Sequence, residues 1–178
     1  MQPSNLIIRH LQTIKAAGKQ GTVLDLACGN GRNGIYLVRQ GQRVVFSDHE
    51  QNKLDEIAQL LDPSELARYW CVDFEEPRVK PLTLGAFSAI IVFRYLHRPL
   101  MQTIAHSVQP GGLIIYETFT VDQTRFGRPV NADFLLQPGE LEDAFQGWEI
   151  LHSFEGVSVS ELSGQQQAIA QLVARKPN

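Results

Sequence analysis

The chain is short of cysteine and has no surplus of positive charge. Its 178 residues include two cysteines, Cys28 and Cys71, and 16 Lys+Arg against 19 Asp+Glu, a formal net charge of −3. Two cysteines build no disulfide framework, and they make no zinc centre without other ligands, which no histidine spacing supplies. If they close the first and third strands with the second between, they stand roughly 9–10 Å apart. A disulfide needs Cα atoms within about 7 Å, so both read as small buried side chains. The acidic balance excludes a broad nucleic-acid surface, which needs a basic face, but leaves room for a local anion site. No run approaches the ~20 apolar residues of a membrane span. The start, Met1-Gln2-Pro3-Ser4-Asn5, lacks the cationic opening and apolar core of a secretory signal. These absences predict a cytoplasmic protein with no membrane partner; its oligomeric state is not legible. A hydrophobic content of 43% suits one domain over residues 1–178.

What is present is organised around Thr22 to Gly34, TVLDLACGNGRNG. Val23 to Leu26 is a short apolar run carrying one carboxylate, which reads as a strand buried on both faces. Three glycines in six residues follow, and an amphipathic run begins near Arg32. Glycine removes Cβ, so the turn can be tight and the backbone can approach a ligand. Two ligand classes fit such a cradle. Gly29-x-Gly31-x-x-Gly34 is formally a dinucleotide fingerprint, with Asp48 nineteen residues after Gly29. Against that, Asp25 lies in the strand before the glycines, where it repels a pyrophosphate and welcomes a cation. S-adenosylmethionine, with its sulfonium and α-ammonium groups, suits an acid before the glycines and another after the second strand.

In order along the chain, residues 3–18 read as a helix with Ile7, Leu11 and Ile14 on one face and Gly18 as its stop. The first strand and glycine turn follow, then a short helix ending at Gly41. Arg43 to Asp48 is the second strand, and Leu54, Ile57, Ala58 and Leu61 mark a helix closed by Pro63. Leu66 to Asp73 is the third strand, and Pro77 and Pro81 mark a loop. Phe87 to Phe93 is a central strand, followed by a helix through Leu100, Met101, Ile104, Ala105 and Val108, stopped at Pro110-Gly111-Gly112. Leu113 to Phe119 is the fifth strand. A polar loop, Thr120 to Gln137, leads to a short helix at Pro138 to Phe145. Trp148 to Phe154 and Ala168 to Arg175, with only polar Ser158 to Gln167 between them, predict an antiparallel hairpin at one edge. The alternation of strands and helices implies an α/β, doubly wound sheet, parallel apart from that hairpin, with helices on both faces. Its ligands belong outside the carboxyl ends of the strands.

A seven-stranded, Rossmann-like sheet of this kind, with Asp-x-Ala-x-Gly-x-Gly after its first strand, resembles the class I S-adenosylmethionine-dependent methyltransferases over nearly the whole chain. Within that class, Gly29-Asn30-Gly31-Arg32-Asn33, Pro138-Gly139-Glu140-Leu141, Gly147-Trp148-Glu149 and Ala174-Arg175-Lys176 resemble the tellurite-resistance methyltransferase group. The resemblance implies that Asp25 to Gly31, with Ala27 and Gly29 among them, line the methionine end of S-adenosylmethionine. It implies that Asp48, with His49 beside it, holds the ribose, that Asp73 and Phe74 hold the adenine, and that Phe93 and Arg94 floor the transferable methyl. Ala27 stands where the first motif glycine usually is. Val157 to Gln167 lacks the basic residues that the tellurite group tends to carry in its last hairpin, which argues against an oxyanion such as tellurite.

Methyl transfer from a sulfonium is an in-line displacement that gains most from positioning. A thiolate acceptor needs no base, whereas an alcohol or amine does. Tyr95 and His97, after the fourth strand, are the candidate bases, each equally readable as a structural side chain. Arg94, Arg98 and Arg128 are candidates to frame a small anionic acceptor, since guanidinium forks match carboxylate and phosphate. Glu117, at the end of strand five, either faces the site or pairs with one of them. His10, His106 and His152 are given no role. The expected activity is methyl transfer from S-adenosylmethionine to a small acceptor. An NAD-dependent oxidoreductase and a non-catalytic cofactor-binding subunit of a larger enzyme are the alternatives.

Overall fold

A computed structural model describes residues 2–19, 21–62, 66–76 and 82–178. Seven strands form one sheet in the order β3-β2-β1-β4-β5-β7-β6. The first three are β1 (Val23–Leu26), β2 (Val44–Asp48) and β3 (Ala67–Cys71), and they pair in parallel on one side. On the other side β1 pairs in parallel with β4 (Phe87–Phe93), and β4 with β5 (Val108–Phe119). The hairpin of β6 (Glu149–Val159) and β7 (Gln166–Arg175) completes the sheet, with β7 antiparallel to both β5 and β6. The predicted doubly wound fold is therefore the observed one.

Alternation along the central strands sends side chains to two cores. Val23, Ala89, Ile91, Leu113 and Ile115 meet α1 (Asn5–Arg9), α2 (Leu11–Gly18), α3 (Arg32–Arg39) and α4 (Gln51–Leu60). Leu24, Leu26, Ile90, Val92 and Ile114 meet α5 (Arg98–Ser107) and α6 (Glu140–Asp143). Both faces are covered, which explains why these strands read as unbroken apolar runs rather than alternating ones. No helix among the described residues is long and apolar enough to cross a membrane.

Three boundaries differ from the sequence reading. The expected helix over residues 3–18 is two helices broken at His10 (φ −101°, ψ 12°), whose ring lies 5.6 Å from that of His152. Pro110-Gly111-Gly112 does not end a helix; it lies inside β5, where the register against β4 shifts between Phe87 and Ala89. A Cβ on Gly112 would stand 2.7 Å from the Ser88 carbonyl oxygen, so the bulge requires glycine. The hairpin strands run further than expected, leaving 160–165 as the tip. The prolines read as breakers, Pro63, Pro77 and Pro81, lie outside the described residues.

Candidate active site

The turn after β1 is held by its neighbour strand. Cys28 N donates to the Ser47 carbonyl at 2.9 Å, and Gly31 N to the Cys28 carbonyl at 2.9 Å. The Asp48 carboxylate, at the carboxyl end of β2, accepts from Gly29 N at 2.8 Å and from Glu50 N at 3.0 Å. One buried side chain thus ties the turn after β1 to the turn before α4. The glycines do different jobs. Gly29 is left-handed (φ +56°), and a Cβ there would meet nothing within 4 Å, so this backbone is open for close approach. At Gly31 (φ +68°) a Cβ would lie 2.6 Å from Ile57, and at Gly34 one would lie 2.3 Å from Phe46. Those two glycines seat α3 against β2 and α4.

Asp25 is buried, and its carboxylate accepts from Gly34 N at 2.9 Å, one of the free amides that open α3. Burial pushes its pKa up to about 8, against the opposing pull of the Gly34 amide and of Arg32. Its role here is to hold the start of α3 behind the glycine turn.

A cavity of about 270 Å³ opens at the carboxyl edge of β1, β2 and β4. It brings together six of the nine expected cofactor residues: Ala27, Gly29, Asp48, His49, Asp73 and Phe74. Asp25, Gly31 and Phe93 are not on its wall. Asp25 and Gly31 support the turn from behind, and Phe93 packs into the core on the α1–α4 side. The sequence reading missed Lys53, Val72 and Glu75, which also line the cavity. Glu75 stands two residues beyond Asp73 and its amide donates to the Asp73 carboxylate at 2.9 Å; that spacing was the signal available for it.

Arg94 and Tyr95 form the far wall. Arg94 is left-handed (φ +60°) and its guanidinium sits over the Phe119 ring, 4.4 Å from the centroid. It pairs with Glu117 at 2.9 Å and donates to Gln167 Oε1 at 3.0 Å, while its Nη1 is buried with no hydrogen-bond partner among the described residues. Burial, reinforced by the charges of Glu75 and Asp73, pushes the Tyr95 phenol up, so it stays protonated; its hydroxyl is buried without a hydrogen-bond partner among the described residues.

The remaining candidates stand apart from that cavity. His97 precedes α5 and, with Arg98, lines a separate outer hollow that also includes Glu75, Leu96 and Phe134. Arg98 grips both oxygens of Glu140, at 2.6 and 2.9 Å, and donates to the Leu135 and Asp133 carbonyls at 2.7 and 3.1 Å. It fastens the loop after β5 onto α5. Arg128 is exposed, and its side chain makes no ion pair among the described residues. A second, polar cavity of about 290 Å³ lies beyond Arg94, under α1 and the β6–β7 hairpin. Its charged groups are largely matched: Arg94 with Glu117, and Arg32 with Glu161 at 3.8 Å.

The family model described as "Tellurite resistance protein TehB" matches residues 4–168. The chain belongs to that family. Curated relatives include the probable S-adenosyl-L-methionine-dependent methyltransferase TehB of Haemophilus influenzae, 26% identical over 144 residues, which are 76% of this chain and 48% of the relative. The chain thus spans about half the length of the curated relatives it matches. Among solved structures, TehB from Haemophilus influenzae superposes with a TM-score of 0.71 at 20% identity, over 93% of this chain and 62% of that one. A putative S-adenosylmethionine-dependent methyltransferase from Listeria monocytogenes does so with a TM-score of 0.71 at 16% identity, over 97% and 99%. These likenesses establish the class I methyltransferase fold.

Proposed function

We propose that this chain, read as a single domain over residues 1–178, binds S-adenosylmethionine and transfers its methyl group to a small acceptor in the cytoplasm. One observation carries the reading: Asp48 holds Gly29 N at 2.8 Å while both face a cavity also lined by Asp73 and Phe74. That register supports ribose at Asp48 and adenine at Asp73 and Phe74. The open backbone at Gly29 leaves room for the methionine end to run toward Arg94. The residues present therefore fit the cofactor. The family membership supports the same activity.

A dinucleotide fits less well. Its pyrophosphate would use the free amides that open α3, and Gly34 N is already taken by the buried Asp25 carboxylate.

S-adenosylmethionine, held by Gly29, Asp48, Asp73 and Phe74, would supply an electrophilic methyl on its sulfonium sulfur for the acceptor's lone pair. The protein's part is to orient and to exclude water. Asp48 fixes the glycine turn, and Arg94, clamped by Glu117 and Gln167, sets the wall against which the acceptor rests. Tyr95 offers a phenol hydrogen bond. A thiolate fits such a site best, because it needs no base. Anionic character in the acceptor is supported by Arg128, exposed and without an ion pair among the described residues, and not by Arg94 or Arg98, which are committed to Glu117 and Glu140.

Titration calorimetry tests the cofactor: micromolar binding of S-adenosylmethionine and no heat with NAD are expected, and the reverse preference overturns the reading. Release of S-adenosylhomocysteine with a panel of small acceptors separates an enzyme from a non-catalytic cofactor-binding subunit.

A further inference from the structure

A third cavity, of about 330 Å³, lies on the other side of Arg94 and Tyr95 from the cofactor cavity. Those two residues line both, so the two spaces are neighbours through a shared wall. The new walls are Leu96, Phe119, Pro129 and Phe134, contributed by the segment after β4 and the end and following loop of β5. The surface is mostly carbon, with two phenyl rings and a proline ring, and its polar elements are Thr118 and the buried Arg94 Nη1 and Tyr95 hydroxyl, the last two without hydrogen-bond partners among the described residues. Arg94 carries no free charge to offer, since Glu117 already neutralises it at 2.9 Å. It offers an unused N–H.

We propose that the methyl acceptor carries an apolar, ring-sized body that seats among Leu96, Phe119, Pro129 and Phe134, with a hydrogen-bond-accepting group turned toward Arg94. The proposal rests on the methyltransferase reading and narrows its substrate class. A bare inorganic oxyanion is the wrong shape and chemistry here: it would leave the aromatic walls wet and sacrifice hydration with two unused donors, Arg94 Nη1 and the Tyr95 hydroxyl, in return. The polar cavity beyond Arg94 is the other space open to an anion. Two of its three arginines, Arg94 and Arg32, are already paired with Glu117 and Glu161, and it shares only Arg94 with the cofactor cavity, whereas the apolar one shares Arg94 and Tyr95.

The test compares two thiol acids that differ by the ring, 2-mercaptobenzoate and mercaptoacetate, with selenite as the inorganic probe. Binding to the full chain loaded with S-adenosylhomocysteine is measured by calorimetry. Methylation is measured with S-adenosylmethionine, the thiolate sulfur taking the methyl and S-adenosylhomocysteine leaving. Burial of a ring should favour 2-mercaptobenzoate over mercaptoacetate by at least about tenfold in Kd. Phe134→Ala, at a side chain 47% exposed and so dispensable for folding, should cut that preference severalfold and leave cofactor affinity unchanged. Equal affinity for the two thiols, a preference that survives Phe134→Ala, or turnover of selenite in place of either thiol overturns the proposal while the methyltransferase reading stands. A chain that binds neither S-adenosylmethionine nor S-adenosylhomocysteine overturns both.

Discussion

Asp48 offers the sharpest test of the cofactor cavity, because it has two separable roles. Its carboxylate is 4% exposed and accepts two backbone amides, Gly29 N at 2.8 Å and Glu50 N at 3.0 Å. Asp48→Ala removes both acceptors. A buried donor left unsatisfied costs about 1–3 kcal/mol. Both amides border the cavity or solvent, where water can replace part of the loss, so the lower end applies to each. The cofactor-free protein should lose about 2 kcal/mol, read by urea unfolding.

The second role, under the proposed function, is toward the ribose. Losing hydrogen bonds from its hydroxyls to a charged acceptor should weaken S-adenosylmethionine by about 1–3 kcal/mol, or about 5- to 150-fold in Kd by calorimetry. Asp48→Asn separates the roles: its one oxygen still accepts an amide, so the turn is partly kept, while the charge and the second acceptor are gone. The variant should keep more stability than Asp48→Ala yet lose most of the same affinity. If both variants unfold earlier but bind the cofactor like wild type, Asp48 is a loop staple alone and the ribose lies elsewhere.

Four further outcomes follow from the geometry. The Asp25 carboxyl, raised to about 8 from an unfolded value near 4, makes the native state bind more protons than the unfolded one across that window. Its contribution to stability is therefore present below pH 4 and lost as pH rises through 8, at up to about 1.4 kcal/mol per pH unit; Asp25→Asn should flatten that slope in denaturation measured from pH 5 to 9. Arg98→Ala breaks the Glu140 pair and releases the Leu135 carbonyl, and with the arginine partly exposed it should cost about 1–2 kcal/mol and raise the acceptor KM without changing cofactor Kd. Arg128→Ala, at an exposed side chain, should leave stability within about 0.5 kcal/mol of wild type and raise KM for anionic acceptors alone in steady-state assays. Gly31→Ala combines a left-handed backbone with a Cβ 2.6 Å from Ile57, and should lower the unfolding free energy by about 2–4 kcal/mol.

The sheet was legible because its middle strands are covered on both faces, so their burial shows as apolar runs without alternation. Asp48 was legible because it ends such a run, and Asp73 because it closes the next predicted strand, where a parallel sheet gathers its ligand groups. What stayed hidden depends on contacts between distant residues. Pro110-Gly111-Gly112 carries the local signature of a helix stop, but its placement in β5 is decided by how near Gly112 comes to the Ser88 carbonyl, in another strand. The arginines were legible as residues and not as partners. Arg98 and Arg94 look alike in sequence, yet one is spent on Glu140, 42 residues away, and the other on Glu117. Only packing assigns carboxylates to guanidiniums, and that assignment separates a structural arginine from one left with an open N–H.

The backbone marks the same place independently. Among the described residues, the non-glycine positions with positive φ are Ala27 at 50° and Arg94 at 60°, and both line the cofactor cavity. An alanine or arginine in that conformation is strained by about 1 kcal/mol or more, and such strain persists only where the surroundings impose it. The imposing framework is the sheet. Ala27 follows β1 and Arg94 follows β4, neighbours in the order β3-β2-β1-β4-β5, where the chain turns from building one side of the sheet to building the other. That reversal opens the crevice in which doubly wound sheets take their ligands. On the β1-β2-β3 side the crevice presents Gly29, Asp48 and Asp73, carboxylates and bare backbone suited to a cationic cofactor. On the β4-β5-β7 side it presents Arg94, braced by Glu117 from β5 and Gln167 from β7. The strained Arg94 thus stands on the boundary between the two halves, where, on the proposed function, a methyl group passing from cofactor to acceptor would cross.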